Sequence, residues 1–243
     1  MVAFEQIKLC TLYNCITFAL LKNTVRYDYT IHNEMLNRVD QVTDLGVLID
    51  NRLLFANHIR LLAQKAYRSL GYITRFSQGF ACDVFVVLYC TFVRSTIEYA
   101  SQVWSPQSLT HIATIEDVQK KFLRTCSFRM KVPLVDGHTN YNLILSRLNL
   151  TSLESRRSVN DLSFLYKLLR GDVDCSFLLG RLNFRIGHRT RSTDLFYPEY
   201  HRTDYGLHSP IVRMQNNFNR FNLPAHNISS YSSFKKIVKG VCK

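Results

Sequence analysis

The clearest pattern in the chain is a run in which Phe55, Ile59, Leu62, Ala66, Leu70 and Ile73 recur at steps of three and four. That spacing predicts an amphipathic helix over residues 55–76 with one stripe turned to a core. At about 100° per residue, Arg60, Lys65, Arg68 and Arg75 fall together on the opposite side. Such a face is either simply solvated or able to meet phosphates. Just before it, Leu45, Val47 and Ile49 alternate with Gly46 and Leu48 between Asp44 and Asp50, which predicts a short strand. Gly46 permits a bulge or a close backbone approach there.

Upstream, a buried strand is expected around Cys15 to Ala19, then a turn at Lys22-Asn23. The runs Val25 to Ile31 and Met35 to Val39, joined through His32-Asn33, predict a hairpin. Downstream, residues 83–100 are apolar nearly all round, which predicts a helix buried from several sides, with Arg94 and Glu98 able to pair one turn apart. Trp104-Ser105-Pro106 ends it. A third helix is expected from about Leu109 to Phe128, with Ile112, Ile115, Val118, Phe122 and Cys126 inward. Its end gathers Lys120, Lys121, Arg124 and Arg129, where cations also suit the helix dipole. Pro133 and Gly137 mark a linker. Helices follow near Tyr141 to Leu148 and Ser152 to Leu169; the second opens with Leu153, Arg156 and Arg157 and stops at Gly171. From Asp172 the period is lost, with Arg181, Arg185, His188, Arg189 and Arg191 scattered around Gly187. A small terminal helix is expected from Ser230 to Val241. The fold class is therefore mainly α with a small N-terminal antiparallel β portion, a helical bundle and a less regular basic C-terminal region.

The 243 residues suffice for one large domain or two small ones, and 47% hydrophobic with 12% aromatic residues argue for a folded core. A formal net charge of +13 points to a polyanionic partner, with nucleic acid ahead of membrane. The apolar run Leu9 to Leu21 is too short to span a bilayer. It also lacks the small-residue cleavage pattern of a signal peptide, and Glu5 offsets Lys8. Seven cysteines form no CxxC pair and no zinc spacing, which suits a reducing nuclear or cytoplasmic setting. No P-loop, dinucleotide fingerprint or nucleophile elbow is present, and the eight histidines are scattered. His58, beside Ile59, reads as a packed or capping histidine. The sequons at Asn149 and Asn227 come with no secretory signal.

An ordered series of short motifs carries a resemblance. It comprises Tyr27-Asp28-Tyr29-Thr30-Ile31, Asp44-Leu45-Gly46-Val47, Phe55 with His58-Ile59, Lys65-Ala66 and Leu70-Gly71-Tyr72-Ile73. It continues through Arg94-Ser95 with Glu98-Tyr99-Ala100, Val103-Trp104-Ser105-Pro106, and Ile115-Glu116 with Val118 to Arg124. Leu153-Glu154, Arg156-Arg157 and Phe164 to Leu169 follow. In order and spacing, from about residue 14 to residue 170, this resembles the region after the catalytic motif in reverse transcriptases of non-LTR retrotransposons, jockey-like insect elements in particular. The tail matches more loosely, through Gly206, Ser209-Pro210, Arg213 and Phe234-Lys235.

The resemblance implies three regions: palm strands over residues 1–51, a helical thumb over 52–131 and a post-thumb region over 132–243. It places Leu45 and Gly46 in a primer-grip hairpin. The nucleic-acid-binding set it implies is Leu45, Gly46, Arg60, Lys65, Arg68, Arg75, Lys120, Lys121, Arg124, Arg156 and Arg157. The implied partner is RNA or an RNA–DNA template-primer, together with the remainder of the palm. Polymerase chemistry needs carboxylates holding two divalent metals about 4 Å apart. The chain has no adjacent Asp pair, and the resemblance places its first residue downstream of that motif. No catalytic residue and no cofactor is expected in the chain itself, a divalent metal entering only with a supplied palm. Asp172 and Asp174 follow a helix end, outside any apolar hairpin. A reverse transcriptase part that binds but does not polymerise, a free-standing basic helical nucleic-acid-binding protein, and the remnant of a decayed element all remain open.

Overall fold

The computed structural model describes residues 14–16, 18, 28–31, 33–133, 138–185, 194–202, 204–223 and 230–242. The expected turn at Lys22-Asn23, His32, Gly137, the stretch with Gly187, His188, Arg189 and Arg191, and the sequon at Asn227 lie outside them, as does most of the Leu9 to Leu21 run. The chain forms two compact units, residues 1–61 and 62–243, the division falling within a long helix.

The first unit holds six short strands, β1 (Asn14–Cys15), β2 (Thr30–Ile31), β3 (Glu34–Met35), β4 (Asn37–Arg38), β5 (Gln41–Asp44) and β6 (Val47–Asp50). β2 and β3 pair antiparallel around Asn33, which sits at φ 65°, as do β5 and β6. β1 and β4 pair parallel, so the β portion is not antiparallel throughout. The single strand expected over residues 44–50 is corrected: Asp44 closes β5, and Leu45-Gly46 is the turn into β6. Both turn residues have positive φ, 45° and 82°, the twist that a two-residue hairpin loop requires. Asp50 then organises the exit, its carboxylate accepting the N–H groups of Arg52, Leu54 and Phe55 at 3.0, 3.1 and 2.6 Å. Helix α1 (Ala56–Phe76) starts there. His58 is buried and its Nδ1 accepts the Leu48 N–H at 3.2 Å; burial lowers its pKa. It is a packed histidine.

In the second unit the stretch expected as one helix over 83–100 is broken into α2 (Cys82–Leu88), a π-helical turn (Tyr89–Arg94) and α3 (Ser95–Glu98). The buried residues Phe85, Tyr89, Val93 and Ile97 are spaced strictly by four. In a uniform α-helix of 3.6 residues per turn that row would wind away from the core, and the wider i→i+5 turn takes up the drift. Burial from several sides is corrected: Val84, Val87 and Phe92 are exposed. Ala100, at φ 51°, separates α3 from α4 (Ser101–Trp104), whose Trp104 is buried and donates Nε1–H to Tyr99 O at 2.8 Å.

Helix α5 (Leu109–Arg129) turns Ile115, Val118, Phe122, Leu123 and Cys126 inward. The Tyr89 and Phe122 rings stack at 3.8 Å. After α6 (Tyr141–Arg147), α7 (Leu153–Arg170) begins on Ser152, whose hydroxyl accepts the Ser155 N–H, and ends on Gly171 at φ 74°. Beyond α8 (Ser176–Leu179) and α9 (Asp204–Leu207), the region with no sequence period contains a regular helix, α10 (Pro210–Arg220). Together with α11 (Tyr231–Val241) it forms a second core on α7: Leu162, Leu165 and Tyr166 against Met214, Phe218, Phe234 and Val238. Tyr166 stacks on Phe234 at 4.2 Å. Residues 62–131 of the stretch expected as a thumb thus share one compact unit with the stretch after residue 131, while residues 52–61 belong to the first unit.

Candidate nucleic-acid interface

Helix α1 sorts its residues cleanly. Ile59, Ala63, Ala66, Leu70 and Ile73 are buried, while Arg60, Lys65, Arg68 and Arg75 are exposed and make no hydrogen bond or ion pair among the described residues. Free guanidinium and ammonium groups on one helix face can each neutralise a phosphate without reading a base. From Lys65 to Arg75 the face runs roughly 15 Å at 1.5 Å per residue.

The basic end of α5 is more engaged. Lys120 pairs with Asp117 at 2.9 Å, and that bond raises its pKa. Lys121 sits over the Tyr67 ring at 5.3 Å. Arg124 donates Nε–H to the Tyr141 hydroxyl at 2.8 Å, which raises the arginine's pKa. These contacts fix the side chains and leave their charges outward. Arg129 serves the fold instead: it donates to Thr74 O at 3.2 Å and Ser77 Oγ at 3.0 Å and lies over the Phe85 ring at 4.1 Å.

Arg156 and Arg157 require correction as nucleic-acid contacts. Arg157 is 4% exposed and donates to Glu116 Oε1 at 3.2 Å, while Glu116 Oε2 accepts the Leu153 N–H at 3.3 Å at the start of α7. Burial pushes the Arg157 pKa down and the Glu116 pKa up. Arg156 binds Glu98 through two nitrogens, Nη2 to Oε2 being 2.9 Å, and Arg94 approaches the same carboxylate at 3.7 Å. Both arginines are spent on fastening α7. A third such residue, Arg213 on α10, donates Nε–H to Asp161 Oδ2 at 2.8 Å and Nη2–H to Gln102 O at 2.7 Å.

At the hairpin, Leu45 is 84% exposed and Gly46 is exposed beside it, so both stand at a tip where backbone is accessible. Asp172 and Asp174 are exposed. Cys126 is buried and its thiol is pushed well up, the opposite of an activated nucleophile. Among the described residues no three or more His, Cys, Asp and Glu side chains gather in a metal-binding group, and no helix is long and apolar enough to cross a membrane.

Sequence reasoning overlooked the aromatic residues on the basic face. Tyr72 and Phe76 project there at positions that the same 100° rule assigns to the outer side. Their spacing of four, continued by Phe80, was the signal that could have found them.

Against known proteins, no family profile and no solved structure matches the chain. A protein of Caenorhabditis elegans described as uncharacterised is 24% identical over 133 residues, 55% of this chain and 65% of that protein. The match covers less than two thirds of that relative's length, and its description assigns it no activity.

Proposed function

We propose that the chain is the thumb-side part of an RNA-directed DNA polymerase of the non-LTR retrotransposon kind, and that its role is to hold template and primer. The observation carrying this reading is the coincidence of the ordered motif series with the free basic face of α1. The motifs Lys65-Ala66 and Leu70-Gly71-Tyr72-Ile73 fall on a helix whose outward Lys65, Arg68 and Arg75 have no protein partner among the described residues. Lys120, Lys121 and Arg124 add a second outward cluster on α5. Arg60 extends the first face, and the exposed Leu45-Gly46 tip suits a primer-grip role.

Two-metal chemistry does not fit these residues. The sequence has no adjacent Asp pair, and Asp172 and Asp174 are exposed beyond a helix end and outside any described strand. The metals, and the palm that holds them, belong to a part supplied from elsewhere.

The test is binding to an RNA–DNA template-primer, compared with double-stranded DNA, across a salt series. Replacing Lys65, Arg68 and Arg75 together by Glu is expected to weaken binding and to flatten the salt slope by roughly 0.9 for each phosphate no longer neutralised. Replacing Lys120, Lys121 and Arg124 together is expected to do so more weakly. Unchanged affinity and slope in both triples would overturn the assignment of these faces. Preference for a selected RNA or DNA over the template-primer, with the triples still weakened, would instead favour a free-standing nucleic-acid-binding module.

A further inference from the structure

Along the outer face of α1 and just past its end, Tyr72, Phe76 and Phe80 are 64%, 59% and 48% exposed. Single exposed rings are ordinary, but these three touch in series. Tyr72 and Phe76 lie parallel to within 6° at 6.2 Å, and Phe80 meets Phe76 edge-on at 5.9 Å. The order is built in. Gly79, at φ 87°, turns the chain after the helix, and the Phe80 N–H returns to Ser77 O at 3.1 Å, so that Phe80 folds back onto Phe76. Ser77 is buried, donates its hydroxyl to Ile73 O at 2.6 Å and accepts from Arg129, which also holds Thr74 O. The rings therefore stand on an anchored helix end.

What surrounds them selects the occupant. At 100° per residue Tyr72 projects between Arg68 and Lys65, with Arg75 and Phe76 flanking it, so the rings are interleaved with free cations. A purely apolar partner would leave those charges without counterparts. A base pair inside a duplex has both faces already covered, whereas an unpaired base offers a face to a ring and its phosphate to a cation. The run from Lys65 to Phe76, roughly 16 Å at 1.5 Å per residue, matches about five nucleotide steps at about 3.4 Å each.

We propose that Tyr72, Phe76 and Phe80 form a stacking platform for unpaired bases of a nucleic-acid strand whose phosphates are held by Lys65, Arg68 and Arg75. This rests on the nucleic-acid reading above and deepens it, naming the single-stranded part of a template as what this face takes.

The experiment titrates the full chain against a short labelled RNA strand, and against the same strand made abasic, with its phosphates intact. The base-bearing strand is expected to bind about tenfold more tightly or better, since each stacked base contributes measurably. Alanine at Tyr72, Phe76 and Phe80 together should erase that difference and leave the salt slope in place. Tryptophan at Tyr72 and Phe76 should retain it, and thermal melting of both variants checks that the fold is kept. If intact and abasic strands bind alike, or the alanine variant binds as the parent does, the platform is wrong while the phosphate contacts stand. If neither strand binds although an RNA–DNA template-primer does, the platform is wrong and the thumb reading stands; if the template-primer fails as well, both readings fall. If the alanine variant loses self-association and nothing else, the rings are a protein contact and the proposal is overturned.

Discussion

The outer face of α1 and the start of α7 carry similar side chains in opposite employment. Lys65, Arg68 and Arg75 are exposed and free of protein partners among the described residues, while Arg156 and Arg157 are folded back onto Glu98 and Glu116. The difference lies in the neighbours. On α1 the buried positions are apolar apart from His58, so no carboxylate waits beneath the cations among the described residues. On α7 the arginines share a flank with Leu153 and Val159, which are buried, and are carried down to acids on α3 and α5. A basic cluster in sequence is therefore a candidate for phosphate binding only when its own face is not also a packing face.

That contrast can be broken most forcefully at the buried pair. Arg213→Met would leave Asp161, which is 2% exposed, without its guanidinium. Unfolding free energy in urea is expected to fall by about 3–5 kcal/mol. Arg157→Met should cost less, about 2 kcal/mol, because Glu116 keeps the Leu153 N–H and some solvent. It should leave nucleic-acid affinity of the folded protein unchanged. The Lys65, Arg68 and Arg75 triple should show the reverse, with each change altering stability by no more than about 0.5 kcal/mol. A large loss of stability there, or a loss of binding in Arg157→Met, would erase the distinction between the two regions.

The smallest effect is in pH. Burial raises the pKa of Asp161 above its ordinary value and outweighs the nearby Arg213. The folded state thus holds the proton more tightly than the unfolded chain. The stabilisation from this group is complete below the unfolded carboxylate pKa and is lost as pH rises through the folded value. Relative to Asp161→Asn, the parent should lose stability over that interval, by less than about 1.4 kcal/mol per pH unit. A pH-independent difference between the two would contradict the raised value.

Much of the helical framework was legible because apolar spacing and end signals agreed. The bounds of α1, α5 and α7 lie within a residue or so of those expected, since Asp50, Ser152 and Gly171 give local start and stop chemistry. The hairpin turn at Leu45-Gly46 was hidden, because a leucine at positive φ runs against its own preference and only the glycine hints at it. Helix α10 was missed although Ser209-Pro210 is a helix-start signal, followed by Val212, Met214, Gln215 and Phe218 on one buried side. The scattered arginines around it drew attention to charge instead of period. Of the expected site, the α1 cations stand outward as their spacing required. The role of Arg156 and Arg157 depended on acids dozens of residues away, which no local pattern reports.

The π-helical turn at Tyr89–Arg94 has a consequence for how this segment tolerates change in length. It holds, in effect, one residue more than a uniform helix would need, and the wide turn absorbs it, so the residues after it sit about 100° behind where an unbroken α-helix would put them. Removing a single residue from the turn would let the backbone close into an unbroken helix. Everything downstream would keep its place: the buried row would read at steps of four, three and four, Ile97 would stay within it, and Glu98 would stay opposite Arg156. The segment is slack in the chain, one link that can be taken out while α3 still meets α7.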